Sequence, residues 1–201
     1  YCITYKNTFD ISCSILRFSN VFGPRKSFGP YANVIPKFVR SILRNESITI
    51  YGDGEQERDF VYVKDVARAC FLALSKNNNG IFNIATGKNT TVNYLISKIE
   101  FLLKKKFTKV FVSSRPGESK FAYSSIEKAK MDFSYIPEYS LEQGLLEYIE
   151  YEKQLVNEQK EQKRRKVEYQ KLHDKMSTKL SNMYKKSIIM PIKYKIKVVK
   201  L

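Results

Sequence analysis

Residues 51–66 read YGDGEQERDFVYVKDV, and this stretch decides the fold that we expect for the chain. Its two glycines predict a tight turn, because glycine adopts positive φ angles at little steric cost. Residues 60–63 are apolar and bounded by charged residues, which is typical of a buried strand. Asp65 is a candidate N-cap for a helix that continues through Leu74. The stretch therefore predicts a turn, a strand and a helix in direct succession.

Strand and helix patterns alternate on both sides of this stretch. Residues 11–18 predict a strand, and residues 34–43 carry apolar side chains at helical spacing. Residues 81–85 predict a further strand, and a helix follows that begins at Thr91 or Asn93. Alternation of this kind is typical of an α/β fold with a parallel sheet.

Charge is distributed unevenly along the 201 residues, of which 43% are hydrophobic and 28% are charged. This composition is typical of a soluble globular protein with one core. The net charge is +16. Residues 151–201 contain 15 Lys and Arg but only five Asp and Glu, whereas residues 1–150 contain 21 Lys and Arg and 15 Asp and Glu. We therefore expect one folded domain over 1–150 and a basic, helical or disordered tail over 151–201.

The tail contains a helical pattern followed by an alternating one. Tyr169, Leu172, Met176, Leu180 and Met183 have the spacing of a short heptad pattern, for which an ordinary amphipathic helix is the simpler interpretation than a coiled coil. Residues 192–198 alternate apolar residues with lysine, which is compatible with a sheet edge, an anionic surface or the disorder that we favour. A basic tail attracts nucleic acid or an anionic membrane, although a solvated extension explains the charge as simply.

The cysteines and the chain start indicate the setting of the protein. Cys2, Cys13 and Cys70 have no metal-ligand spacing, and no signal peptide precedes them. We therefore expect a reducing, cytoplasmic location and no metal site. No apolar run approaches the roughly 18 residues that span a bilayer. The chain begins with Tyr1 rather than Met, so we expect a fragment.

Several polar residues are candidates for ligand contact. Arg58 follows the glycine turn and precedes a strand, and its planar fork of donors suits phosphate oxygens, while Asp59 could orient that guanidinium. Arg115 and Glu118 offer a second cation and a carboxylate, and Asn20 stands where a strand ends, the usual place for ligand groups in α/β folds. Singly, each is explained as well by a structural ion pair or a turn, but their order and spacing favour a common role.

These motifs resemble the C-terminal, substrate-binding part of the extended short-chain dehydrogenase/reductases, in the NAD-dependent epimerase/dehydratase family, and most of all UDP-sugar 4-epimerases. The family pattern LRxxNxxGPR matches residues 16–25, and YGDGxQxRDFxYVxDV is met in full by residues 51–66. FNIATGKNTTV at 82–92 and RPGE at 115–118 are similar to further family segments. The resemblance covers residues 1–150.

The resemblance implies the last elements of a Rossmann-type domain together with its small substrate domain. In this family an N-terminal Rossmann domain binds NAD, and a Tyr-x-x-x-Lys pair takes a proton while NAD takes hydride from C4 of the sugar. The hydride then returns to the other face of the keto sugar. The resemblance therefore implies NAD as cofactor and a UDP-sugar, such as UDP-glucose or UDP-N-acetylglucosamine, as ligand.

The resemblance also implies which residues touch the ligands. Arg58 and Arg115 are expected to hold the diphosphate, and Phe18 is expected to lie near the nicotinamide carboxamide of NAD. Asn20 is expected to touch the phosphates or the sugar, and Asn33 and Val34 are expected to flank the nucleotide. Thr49 and Tyr51 are expected to meet the uracil edge through their backbone, and Glu118 is expected to accept from the ribose. Phe60 argues against the dTDP-sugar dehydratases and UDP-glucuronate decarboxylases, which are the alternatives within the family.

Some family features are absent from the sequence. There is no G-x-G-x-x-G phosphate loop. There is also no Tyr-x-x-x-Lys pair in the expected place: Cys2 stands four residues before Lys6, and the match to the family helix places Tyr1 just beyond the missing lysine. We therefore expect the chain to be inactive alone, as an incomplete piece of an epimerase or as a subunit completed by a separate N-terminal half or a homodimer partner. The alternative is a non-catalytic protein that binds nucleotide sugars or acts through its basic tail. Whether the chain by itself is an enzyme is left open.

Overall fold

The computed structural model describes residues 1–25, 33–76 and 78–186, with side chains as far as residue 181. Short strands and helices are followed by one long helix. In chain order the elements are α1 (Cys2–Phe9), β1 (Ser14–Phe18), β2 (Asn20–Phe22), α2 (Val34–Leu43), β3 (Ile48–Tyr51), β4 (Glu57–Arg58), β5 (Phe60–Tyr62), α3 (Val63–Ser75), β6 (Gly80–Ile84), β7 (Thr90–Thr91), α4 (Val92–Leu103), β8 (Lys109–Val112), α5 (Glu127–Phe133) and α6 (Leu141–Lys186). The alternating pattern predicted for 192–198 lies outside the described residues.

Strand pairing is mainly parallel. β1 pairs with β6, β2 with β5 and β3 with β8 in parallel, whereas β4 pairs with β7 in antiparallel orientation. Parallel partners need long crossover connections, which helices usually supply. Here α2 lies between β2 and β5, and α3 lies between β1 and β6 along the chain. The predicted α/β fold is confirmed.

Strand β5 separates two clusters of buried apolar side chains. Phe60 and Tyr62 belong to the cluster that α2, α4 and the start of α6 complete, whereas Val61 belongs to the cluster that α3, α5 and β6 complete. Because successive side chains of a strand point to opposite faces, one strand can contribute to both. The core therefore has a layer of helices on each face of β5, as an α/β fold requires.

The starts of two helices test the predicted capping residues. Thr91 caps α4, since its Oγ1 accepts a hydrogen bond at 3.1 Å from the backbone N–H three residues on. The prediction that Asp65 caps α3 is wrong, because the helix begins two residues earlier. Asp65 instead lies buried in the first turn, and its carboxylate accepts from the backbone N–H groups of Glu138 at 2.8 Å and Tyr139 at 3.1 Å. It fixes the segment before α6 against α3.

The chain divides into two units, Tyr1–Leu155 and Val156–Leu201. In the first unit, α6 buries Leu145, Tyr148 and Ile149 in the cluster that it shares with α2 and α4. In the second unit, the helix continues to Lys186, and residues 157–181 are all exposed. Within residues 1–25, 33–76 and 78–186, none of the helices combines the length and the apolar content needed to cross a bilayer.

Candidate functional site

A cavity of about 600 Å³ opens in the first unit, between α2, β3, β4 and the segment that follows β8. Its volume lies within the range of small-molecule binding sites. Its lining includes every residue that the sequence predicted for a nucleotide sugar, namely Asn20, Asn33, Val34, Thr49, Tyr51, Arg58, Arg115 and Glu118. The fold therefore brings eight residues from separate segments to one cavity. Their contact with a ligand stays a prediction.

The glycine turn before β4 aims Arg58 at this cavity. Gly52 and Gly54 have φ angles of 71° and 80°, and a Cβ at Gly54 would collide with the side-chain amide of Asn93. The chain then runs as β4 beside β7, where Arg58 stands opposite Thr90. Glycine is thus required both by the backbone angle and by the close approach of α4. The turn fixes where the Arg58 side chain leaves the backbone.

The Arg58 guanidinium connects β4 to the segment after β8. Its Nη2 donates to Glu118 Oε1 at 2.7 Å, and its Nη1 donates to the carbonyl oxygens of Ser119 at 2.9 Å and Glu57 at 2.7 Å. A guanidinium has five N–H donors, so these bonds within the described residues use three of them. Arg58 is therefore held in place and still has donors to offer an anion in the cavity.

Asp59 does not orient Arg58, and that prediction is wrong. Adjacent residues of an extended chain point to opposite sides, and the Asp59 carboxylate, 1% exposed, faces the turn after β6. It accepts from Thr86 N at 2.9 Å, Thr86 Oγ1 at 2.8 Å and Gly87 N at 2.8 Å. Its backbone carbonyl accepts from Asn20 N at 3.0 Å and Asn20 Nδ2 at 3.2 Å. Asp59 thus positions Asn20 at the cavity.

Arg115 lines the cavity from the segment that follows β8. Its guanidinium carbon lies 3.9 Å from the centroid of the Tyr51 ring, which is a stacked cation–π contact. Parallel pairing sets Tyr51 opposite Val112, so Arg115 follows three residues after the end of the ladder. The pairing of β3 with β8 therefore places Arg115 beside Tyr51, in the lining that also contains Arg58.

The cavity lining carries a net positive charge. Lys37, Arg58 and Arg115 stand against a single carboxylate, Glu118. A surplus of cations in a concave site favours an anionic ligand. Sequence reasoning missed Lys37, although it lies one helical turn beyond Val34 on α2 and so shares its face. The helical spacing of α2 was the signal that could have found it.

Strand β3 presents one backbone edge to the cavity. Ile48 N donates to the carbonyl of Thr108, just before β8. Gly52 N donates to the carbonyl of Val112, in β8, so the backbone groups of the even-numbered residues point to that partner. The backbone groups of Thr49 and Tyr51 therefore face the other way, and Gln56 Nε2 donates to Tyr51 O at 2.8 Å. An edge with available donors and acceptors can pair with a planar heterocycle.

Phe18 lies outside the lining of this cavity. It ends β1 beside Ile84 of β6, and its side chain is 49% exposed. Ligands of α/β folds bind at the carboxyl ends of parallel strands, and Phe18 occupies such an end. Its contact with a nicotinamide ring stays a prediction.

Comparison with known proteins agrees with this geometry. Residues 1–85 match the family described as NAD dependent epimerase/dehydratase. This part of the chain belongs to that family. The UDP-glucuronate 4-epimerase of Thermodesulfobacterium geofontis is 32% identical over 152 residues, which are 75% of this chain and 46% of the relative. The chain spans about half the length of the curated relatives that it matches.

Solved structures of epimerases have the same fold. The UDP-glucose 4-epimerase of Thermotoga maritima, solved with UDP-glucose, is 36% identical with a TM-score of 0.74, covering 77% of this chain and 50% of that one. The UDP-N-acetylglucosamine 4-epimerase of Methanobrevibacter ruminantium, solved with UDP-N-acetylmuramic acid, is 38% identical with a TM-score of 0.71, covering 74% and 48%. The predicted membership of the epimerase/dehydratase family is confirmed.

A Tyr-x-x-x-Lys spacing does occur in this chain, but away from the cavity. Tyr94 and Lys98 lie on α4, and neither lines the cavity. Lys98 Nζ lies 2.8 Å from a carboxylate oxygen of Glu142 and 4.9 Å from the Tyr94 ring centroid. The hydrogen bond to Glu142 raises the pKa of Lys98. Lys98 therefore connects α4 to α6, and neither residue of the pair lies at the cavity.

Proposed function

We propose that residues 1–155 bind a uridine diphosphate sugar and form the substrate-binding part of an NAD-dependent nucleotide-sugar epimerase. The observation that carries this proposal is the convergence of Arg58 and Arg115, from two separate segments, on one cavity. Guanidinium groups match the geometry of phosphate oxygens, and a charged hydrogen bond of this kind is worth about 1.5–3 kcal/mol. Two arginines in the lining of one cavity suit a ligand with two linked phosphates.

The other walls of the cavity suit the two ends of such a ligand. The backbone edge of β3 that points away from β8, at Thr49 and Tyr51, supports binding of the uracil ring, whose edge carries both donors and acceptors. Glu118 supports binding of the ribose, because a carboxylate accepts from hydroxyl groups. Asn20, held by Asp59, supports binding on the phosphate or sugar side.

NAD is the cofactor that we propose for the complete site. It would supply the hydride acceptor and donor at C4 of the sugar, and the contribution of these residues is to bind and orient that sugar. Phe18 fits a contact with the nicotinamide, because its ring is exposed at the carboxyl end of a parallel strand. The sequence contains no G-x-G-x-x-G loop, so we assign no other NAD contact to it.

Residue 60 does not contact the proposed sugar pocket directly. Phe60, which favoured an epimerase over the related dehydratases and decarboxylases, is buried in the core and does not line the cavity. It therefore has no direct route to discriminate between sugars. We propose a UDP-hexose of the UDP-glucose or UDP-N-acetylglucosamine type, with dTDP-sugar dehydration or UDP-glucuronate decarboxylation as the alternatives within the family.

Isothermal titration calorimetry on the 201-residue chain tests the proposal. We expect UDP and UDP-glucose to bind and UMP to bind at least about tenfold more weakly, because UMP lacks the second phosphate. Arg115→Ala is the informative variant, since the contact of Arg115 within the described residues is with the Tyr51 ring, whereas Arg58 also supports the local backbone. We expect Arg115→Ala to weaken UDP binding by about 10- to 100-fold and uridine binding little.

Arg44→Ala is the matched control. Arg44 caps the end of α2 and does not line the cavity, so its loss changes the total charge equally without touching the site. If Arg44→Ala weakens UDP as much as Arg115→Ala does, the attraction is general and the diphosphate site is refuted. Equal binding of UMP and UDP by the unchanged chain would refute it as well.

A further inference from the structure

The second unit carries a surface that the proposed site does not explain. Between residues 169 and 180 the exposed helix α6 presents a narrow apolar stripe, made of Tyr169, Leu172, Met176 and Leu180, whose side chains are 70%, 57%, 56% and 53% exposed. At 3.6 residues per turn these four positions fall within an arc of about 80°. Four large apolar side chains on one side of a solvated helix have a cost unless something covers them.

Cations lie beside the stripe. Lys171, Lys175 and Lys179 repeat every four residues and form a row along one flank, and Lys166 lies on the other flank one turn earlier. Residues 156–186 hold ten Lys and Arg against four Asp and Glu. The helix is therefore apolar along one line, with three lysines and Glu168 along one flank and Lys166 on the other.

We propose that residues 166–180 of α6 form a surface that binds anionic lipid, with the helix lying in the plane of the membrane interface. An interfacial helix buries an apolar face just below the headgroups while flanking lysines reach the lipid phosphates. Both features are needed for this partner, and both are present. Tyr169 fits the same place, since tyrosine has an apolar body and a polar tip.

Other occupants fit the surface less well. A second copy of the helix would bring like charges together, and Lys179 interrupts the heptad position that should follow Met176. Nucleic acid would use the lysines but leaves the apolar stripe without a role. Anionic lipid is the partner for which the charge and the apolar stripe are both complementary.

Co-sedimentation with vesicles tests this proposal on the 201-residue chain. We expect binding to vesicles of phosphatidylcholine with phosphatidylserine to exceed binding to phosphatidylcholine alone by at least about tenfold, since each lysine near an anionic surface contributes about fivefold. Replacing Leu172 and Met176 together by Gln should remove at least about tenfold of that binding, and circular dichroism should report an unchanged helix. Val167→Gln is the matched control, because Val167 is exposed on the opposite face.

The outcomes separate the possible occupants. Equal binding of the Leu172→Gln/Met176→Gln variant and the unchanged chain would overturn the proposal, since the stripe would then have no part. A DNA or RNA oligonucleotide that displaces the chain from the vesicles at lower concentration than soluble phosphatidylserine would overturn it in favour of nucleic acid. A chain that ignores vesicles but sediments as a dimer, and becomes monomeric in the double variant, would overturn it in favour of self-association. None of these results depends on the nucleotide-sugar site.

Discussion

Asp59→Asn is expected to destabilise the protein strongly although it changes only one atom of the side chain. In the unchanged chain, Thr86 donates twice to Asp59 Oδ1, and Gly87 N donates to Asp59 Oδ2 at 2.8 Å. In its most favourable orientation, the asparagine amide would keep its oxygen near Thr86 and turn its NH₂ group towards Gly87 N. One charged hydrogen bond is lost, and the N–H of Gly87 faces another donor in a buried place. Loss of the bond costs about 1.5–3 kcal/mol and an unsatisfied buried group about 1–3 kcal/mol, so we expect about 3 kcal/mol.

The effect should reach the cavity as well. The backbone carbonyl of Asp59 holds Asn20 through two hydrogen bonds, so a displaced Asp59 moves a residue of the cavity lining. We therefore expect weaker UDP binding at temperatures where the variant is still folded. The magnitude of the stability change is large against a typical total of 5–15 kcal/mol and corresponds to a fall in Tm of roughly 10 °C.

Urea unfolding followed by circular dichroism measures the change. Glu57→Gln is the matched control, because Glu57 lies two residues away and accepts a single hydrogen bond from Asn89 at the surface, which glutamine can also accept. We expect that control to stay within about 0.5 kcal/mol of the unchanged chain. If Asp59→Asn and Glu57→Gln have the same free energy of unfolding, the bonds to residues 86 and 87 contribute nothing and the reasoning is refuted.

Three further predictions concern the supports of the fold. Glu152→Gln should lower the free energy of unfolding in urea by about 2 kcal/mol, because Glu152 is buried and accepts two hydrogen bonds from Arg40, at 2.7 and 2.8 Å. An unchanged free energy of unfolding would contradict this prediction. Gly144→Ala should cost about 1 kcal/mol net, because a Cβ would stand 2.7 Å from the ring of Phe22, and a stabilised variant would contradict it. Burial raises the pKa of Glu100, but bonds from two lysines and a backbone N–H outweigh it and leave the pKa lowered. The ionised Glu100 therefore contributes to the free energy of unfolding above about pH 4.3, and this contribution is lost as the pH falls through its lower pKa in the folded state. Glu100→Gln should make the free energy of unfolding in urea fall less steeply with decreasing pH below about 4.3, and an unchanged pH dependence would refute this.

Local patterns in the sequence predicted the strands β1, β5 and β6 and the helices α2, α3 and α4, but not the short strands β2, β4 and β7. The start of α4 was predicted at Thr91 or Asn93, and the structure has the Thr91 hydroxyl as its cap. Asp65 shows where such reasoning ends. It resembles a cap in the sequence, but its hydrogen-bond partners lie more than 70 residues away, and no local pattern records them.

The sequence predicted eight residues that line the cavity, but it missed Lys37 and did not predict the bonds between these residues. The eight residues assigned through the family resemblance all line one cavity, since the motif positions fix which loops meet at the strand ends. The partner of Arg58 was not predictable from its neighbours. Asp59 is adjacent in sequence and faces away, whereas Glu118 is distant in sequence and lies at 2.7 Å. The alternation of side chains along an extended chain explains why Asp59 points away from Arg58. The contact with Glu118 depends on how the segment after β8 folds back onto β4, which no local pattern records.

The contact between Arg58 and Glu118 bears on how the cavity would hold a diphosphate. A carboxylate already placed on the guanidinium neutralises part of its charge, so an incoming phosphate must compete with Glu118 or use the donors that Glu118 leaves available. Arg115 has no such carboxylate partner in the described residues and stacks on Tyr51 instead. The two arginines are therefore unequal: Arg58 is a fixed support that joins β4 to the segment after β8, and Arg115 is the cation better placed to respond to an anion. This inequality is why Arg115, rather than Arg58, is the decisive position at which to test the site.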